Sequence, residues 1–174
     1  MSNKGNTKTS PARKKKDLLE SLFQRRDRER ERMAKATMVV DCDKQPLENN
    51  RMGLFQWYLH PDMEDVSVRT MLFWAQEIPP GSRSGKQKHQ GGRLHYVQEG
   101  RGYTEIDGVK HEWEQGDLVL LPIKPFGVVF QHFNTDPQKT VRLVCAEPNW
   151  FDPLGVDLGS GFEQIENSPD FKPE

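Results

Sequence analysis

The stretch Tyr96-Val97-Gln98-Glu99-Gly100-Arg101-Gly102-Tyr103-Thr104-Glu105-Ile106-Asp107-Gly108-Val109-Lys110-His111-Glu112-Trp113 decides the fold. Asp107-Gly108 between two runs is a strong two-residue hairpin signal, because the tight turn needs positive φ at its centre. Glu99-Gly100 and Gln115-Gly116-Asp117 punctuate the chain on either side. The same grammar of short runs and turns predicts strands at roughly 83–88, 93–98, 102–106, 109–113, 118–121, 128–134 and 140–146. Upstream, Leu54 to Leu59 and Ser67 to Ile78 read as two more, the second ended by Pro79-Pro80-Gly81. Eight or nine strands at this spacing imply an all-β closed barrel or jelly roll.

Around that block the chain changes character. Residues 1–15 form a polar basic tail without periodicity, expected to be disordered. Residues 16–49 hold a helix, to about Ala36, and an arm. Leu18, Leu19, Leu22 and Phe23 make an apolar stripe that should dock, while Arg25 to Arg32 alternate in sign as an exposed surface does. Residues 50–146 are the barrel, and 147–174 an irregular tail with seven acids against one Lys. Trp150, Phe151 and Phe162 are expected to pin that tail to the barrel.

The net charge of −1 hides a polarised chain: residues 1–36 carry +7 and the remainder −8. A basic arm raises nucleic-acid binding, but no nucleic-acid fold signature follows it. The preferred reading is a solvated segment that packs on its own acidic barrel or on a partner subunit. No apolar run reaches membrane-span length, and the N-terminus lacks the apolar core of a secretory signal. Cys42 and Cys145 make no disulfide framework, and Cys145 in an apolar run reads as a buried thiol. A cytoplasmic compartment fits these features.

Residues 78–146 resemble the cupin superfamily. The first half matches in Pro80-Gly81, His89-Gln90-Gly91-Gly92, Tyr96 through Tyr103, Ile106-Asp107-Gly108, Trp113 and Gly116-Asp117-Leu118. The second matches in Leu121-Pro122, Pro125-x-Gly127 and Gln131-His132-Phe133-Asn134. Single-domain cupins similar to ring-cleaving dioxygenases of the gentisate type are the nearest in pattern. The resemblance implies a cupin jelly-roll β-barrel with an N-terminal helix. It also implies a divalent metal held by His-x-His, a Glu four residues on, and a later His. Here those positions are Gln87, His89, Arg93 and Phe130, so one of four ligands is kept.

Two further histidines complicate that loss. His95 lies two residues past Arg93 and His132 two past Phe130, so both should face inward. Two residues move a side chain about 6.6 Å along a strand. By the cupin strand directions, a displaced layer would hold Gln87, His95 and His132, with His89 at its rim. That set could bind a divalent ion, with Fe, Zn, Mn, Ni and Cu as candidates. It could equally be a hydrogen-bonded polar cluster. Arg93 is read either as binding a substrate carboxylate or as salt-bridged to Glu105 or another barrel acid. Phe130 and Val128 would wall a substrate pocket, and Tyr103 is a further candidate contact. Trp113, His60 and His111 are read as surface residues.

Two functions follow. One is a metal-dependent, dioxygenase-like enzyme acting on a small aromatic or carboxylate-bearing molecule. The other is a non-catalytic small-molecule-binding or sensing cupin that has lost the usual metal site. A homodimer is expected, with Trp57, Phe73 and Trp74 covering the joint face.

Overall fold

The computed structural model describes residues 17–149 and 162–172. The chain divides into two units, Met1–Ala36 and Thr37–Glu174. The first contains helix α1, Leu18–Ala34, capped by the Asp17 carboxylate, which accepts from the Glu20 amide at 3.0 Å. Glu20 in the first turn and Arg32 in the last suit the helix dipole. No residue of α1 is buried, the Leu18–Phe23 stripe included.

Among the described residues the second unit is a two-sheet jelly roll of eleven strands, β1 (Leu47–Asn50), β2 (Gly53–Leu59), β3 (Met71–Ile78), β4 (Lys86–His89), β5 (Arg93–Glu99), β6 (Arg101–Ile106), β7 (Val109–Glu114), β8 (Leu118–Leu121), β9 (Val128–Asn134), β10 (Val141–Pro148) and β11 (Phe162–Glu166). One sheet runs β1-β2-β3-β10-β5-β8, the other β11-β4-β9-β6-β7. All named pairings are antiparallel. The Asp107-Gly108 hairpin forms as expected, with φ of 50° and 82°. Asp107 also accepts from the Val129 amide, which ties the turn to β9.

Burial alternates along the strands as the pleat requires. In β5, Arg93, His95 and Val97 face inward while Leu94 and Tyr96 face out. In β9, Val128, Phe130, His132 and Asn134 face inward, with Gln131 also buried. Trp74, Ile78, Val97, Leu143 and Phe130 form the centre of the core.

Several expectations need correcting. Residues 162–166, read as irregular tail, form β11 and pair with β4, because Glu163 and Gln164 continue a ladder opposite Lys88 and Gln87. The Trp150 and Phe151 anchors lie outside the described residues. The sheet begins at Leu47, before the expected boundary, and β3 starts at Met71 rather than Ser67. Trp113 is not a surface residue. It is buried and donates its indole N–H to Thr104 Oγ1 at 2.9 Å. Trp74 is buried in the core, so it offers nothing to a dimer face.

Trp113 also explains Gly102. A Cβ there would stand 2.0 Å from the Phe133 carbonyl oxygen and 2.6 Å from the Trp113 ring. Neither the β6–β9 ladder nor a core indole can yield cheaply. Gly102→Ala is expected to lower unfolding free energy by ~2 kcal/mol or more in urea titration. A change below ~0.5 kcal/mol would refute the close packing.

Candidate functional site

Sheet register brings four inward side chains to one end of the sandwich. Antiparallel pairing of β4 with β9 sets Gln87 opposite Phe130 and His89 opposite Val128. On the facing sheet, His95 pairs with Cys145 and Leu94 with Ala146, which carries Arg93 alongside Glu147. Glu147 is reached by the alternation Val141, Leu143, Cys145, Glu147 along β10.

These groups form a closed ionic network. Arg93 donates from Nε to Glu147 Oε2 at 2.8 Å and from Nη2 to Oε1 at 3.0 Å, a two-pronged fork. Its Nη1 donates to Gln87 Oε1 at 3.2 Å. The guanidinium carbon stands 5.1 Å from the Trp74 ring centre and 5.5 Å from that of Phe130, within cation–π range. His89 Nε2 lies 2.8 Å from Glu147 Oε2. The Gly91 amide donates to His89 Nδ1 at 2.9 Å, which places the ring proton on Nε2, facing the carboxylate. Gly91 has a φ of +98°, and a Cβ there would fall 2.1 Å from the Pro122 oxygen, so glycine sets this turn.

Arg93 and Glu147 are 5% and 4% exposed. Burial alone would push the Glu147 carboxyl up, but Arg93 and the His89 hydrogen bond outweigh it and bring the group to about 2. The carboxylate is therefore ionised throughout the physiological range. His89 is held below its ordinary value by burial and by the Arg93 charge, against the opposing pull of Glu147. The Cys145 thiol is pushed far up by burial and is chemically quiet.

One layer deeper lie His95 and His132, both fully buried, with ring centres 4.5 Å apart and edge-to-face. His132 Nδ1 is 2.7 Å from Thr104 Oγ1. His95 Nδ1 and His132 Nε2 have no hydrogen-bond partner, and neither does Trp74 Nε1. Burial, with the Arg93 charge, lowers His132 to about 3. Burial, His132 and Arg93 hold His95 well below its ordinary range. Both rings are neutral.

Above the network opens a cavity of about 460 Å³, within the usual size of a small-molecule site. Phe55, Trp57, Leu72 and Trp74 give it an apolar wall, and Arg93, Glu147 and Gln87 its polar floor. Phe55 stacks on Trp74 at 5.6 Å, and Trp57 packs against both. A larger groove, about 900 Å³, runs between β7 and β8. It is the seam where the sheets stay open, and it has neither a buried ion pair nor an unpaired buried donor. The smaller cavity is the better candidate.

The structure thus brings His95 and His132 together, as the even offsets required. It does not put Gln87 with them. Gln87 stands level with Phe130 and Arg93, because β4 pairs there, while the Ser84 amide and hydroxyl meet the His132 backbone. His89 is committed to Glu147 and Gly91. Arg93, read as one alternative to bind a substrate carboxylate, is buried and already ion-paired. Its acid is Glu147 rather than Glu105, in keeping with the salt-bridge reading. Phe130 and Val128 are inward core residues, and neither lines the cavity. Tyr103 faces away from this cavity, stacked on Phe133 at 4.5 Å with Lys110 over its ring. Sequence reading missed Glu147, Trp74 and Phe55. The period-two run ending at Glu147 was the signal that could have found the first.

The residues do not fit a divalent ion at the family's position. Among the described residues no three His, Cys, Asp or Glu side chains form a cluster that could hold a metal. The guanidinium fills the space, and the Gly91 amide leaves His89 with its Nε2 protonated, where a metal ligand needs a lone pair. The deeper pair supplies two imidazoles, joined by no third His, Cys, Asp or Glu among the described residues.

Comparison with known proteins agrees with this architecture. The family model described as a cupin domain matches residues 74–147. A curated acireductone dioxygenase from Aspergillus fumigatus is 30% identical over 88 residues, covering 46% of this chain. The chain spans only 45% of that protein's length. A predicted oxalate decarboxylase from Thermotoga maritima superposes with a TM-score of 0.53 at 21% identity, over 63% of this chain and 96% of that one. A polyketide cyclase from Streptomyces resistomycificus gives 0.55 at 17% identity, over 77% and 89%. At such identities the two structures speak to fold. No helix among the described residues is long and apolar enough to cross a membrane.

Proposed function

Residues 74–147 match the cupin domain, and from that premise we propose that the chain binds a small planar organic molecule in the cavity over Arg93. One observation carries the reading: the buried Trp74 indole N–H lacks a partner in a residue that lines an aromatic-walled cavity. Bonds to Glu147 and Gln87 use three of the five Arg93 N–H groups. A flat ring fits the Phe55–Trp57–Trp74 wall, and an oxygen acceptor on it would meet these donors. With Arg93 and Glu147 neutralising each other, the floor favours a polar, weakly charged group over a strong anion. Both cysteines are free thiols, and a cytoplasmic site is proposed with this role.

The test is calorimetric titration with 4-hydroxybenzoate, benzamide and indole, alongside native mass spectrometry for a co-purifying molecule. Trp74→Phe keeps the ring and removes the donor. It should weaken binding of an acceptor-bearing ligand about 5-fold, the worth of one hydrogen bond, and leave indole unaffected. A protein with no co-purified molecule and no millimolar binder sinks the proposal.

A second reading, the metal-dependent oxygenase, draws on the unpaired His95 Nδ1 and His132 Nε2. Two imidazoles suit zinc, copper, iron or nickel, but among the described residues no third His, Cys, Asp or Glu joins them. Metal analysis of wild type against His95→Ala separates the readings.

A further inference from the structure

The four positions at which the cupin resemblance places metal ligands, 87, 89, 93 and 130, converge in this chain, and they converge on a guanidinium. Gln87 accepts from it, and the Phe130 ring faces it. His89 meets it through the shared carboxylate of Glu147, which Arg93 grips with two N–H groups. We infer that the Arg93 side chain is this protein's own substitute for a bound divalent cation, built into the chain at the metal's place. The inference stands apart from the identity of any cavity ligand.

The charges explain the exchange. A carboxylate 4% exposed must have a positive partner. In a metal-binding cupin an ion supplies the positive charge, and the position matching residue 93 carries the one acid of the ligand set. Here position 93 supplies the positive charge itself, and Glu147, two residues past Cys145 on β10, supplies the negative one. The pair sums to zero and leaves no excess negative charge to attract an ion. A divalent ion placed among Glu147, Gln87 and His89 would meet a fixed cation already in contact with the same oxygens. Trp74 and Phe130 on either side fit a flat, weakly hydrated cation better than a hydrated metal.

Reversing the charge at this one position should therefore create a demand for metal. In Arg93→Glu, two buried carboxylates face each other beside the Gln87 amide oxygen, an all-oxygen set suited to manganese. The probe is MnCl₂, followed by electron paramagnetic resonance and by thermal melting with and without EDTA. Wild type and Arg93→Lys, which keeps the cation, should leave Mn²⁺ free and melt identically in both buffers. Arg93→Glu should take up about one Mn²⁺ per chain and melt higher as metal is added, as linkage demands. If that variant folds under neither condition, Arg93→Ser decides, since it leaves Glu147 without a cation and should gain stability from Mn²⁺ where wild type gains none. Stoichiometric metal in purified wild type would overturn the inference. So would a folded Arg93→Glu, or failing it a folded Arg93→Ser, that neither binds Mn²⁺ nor is stabilised by it.

Discussion

Glu147→Gln should destabilise the protein by about 3–5 kcal/mol, the cost of leaving a buried charge without its partner. The substitution is nearly isosteric, so packing changes little and the effect isolates the charge. Arg93 would keep its place between Trp74 and Phe130 with only neutral acceptors around it, and His89 Nε2 would lose its anionic partner. Against a total stability of roughly 5–15 kcal/mol, that loss brings the fold near its limit. The double variant Arg93→Met, Glu147→Leu removes both charges together and should recover most of it, because an apolar pair of similar volume often equals a buried ion pair. Urea denaturation of the three proteins reads both numbers. A Glu147→Gln within ~1 kcal/mol of wild type would mean that water, not Glu147, solvates the guanidinium.

The contrast between Arg93 and Glu147 shows what could be read from sequence. Arg93 stood out because a family motif gave its position a meaning. Glu147 had none, and lay where the alternating run of β10 passes into Pro148 and a stretch rich in Pro, Gly and Asp. The barrel strands were legible because turn residues and period-two burial are local properties. Asp107-Gly108 needed no tertiary knowledge. The layer assignment of Gln87 failed for a nonlocal reason. Which residue lies across from which is fixed by the β4–β9 register, and a small slip moves a side chain one full layer. The even offsets of His95 and His132 depended only on alternation within their own strands, and that part placed both rings inside. Strand β11 was missed because its partner β4 is 70-odd residues away, and its own sequence alternates too weakly to declare itself.

Acid should unfold this protein well before its carboxylates alone would require. His132 has an ordinary value of 6.5 and sits at about 3 when folded. Between those values the unfolded chain binds a proton that the folded one refuses. Stability from this group is thus complete above pH 6.5 and is lost as pH falls toward 3. At about 1.4 kcal/mol per pKa unit, the loss is on the order of 5 kcal/mol from His132 alone once the pH reaches 3. His95 and His89 are lowered too and act in the same direction. Glu147, ordinarily 4.5 and about 2 here, adds a further loss below pH 4.5, since its ionised form is stabilised by folding. Melting curves from pH 8 to pH 4 should show a flat plateau above neutrality and a steep fall beginning near pH 6.5, where histidine rather than carboxylate titrates. His132→Leu, which cannot be protonated and fills a dry site with an apolar chain, should make the fall between pH 6.5 and 4 shallower by His132's share, leaving that of His95 and His89. A wild-type melting temperature that stays level down to pH 4 would show that the two rings reach solvent protons without unfolding, and the sealed histidine layer would have to be abandoned.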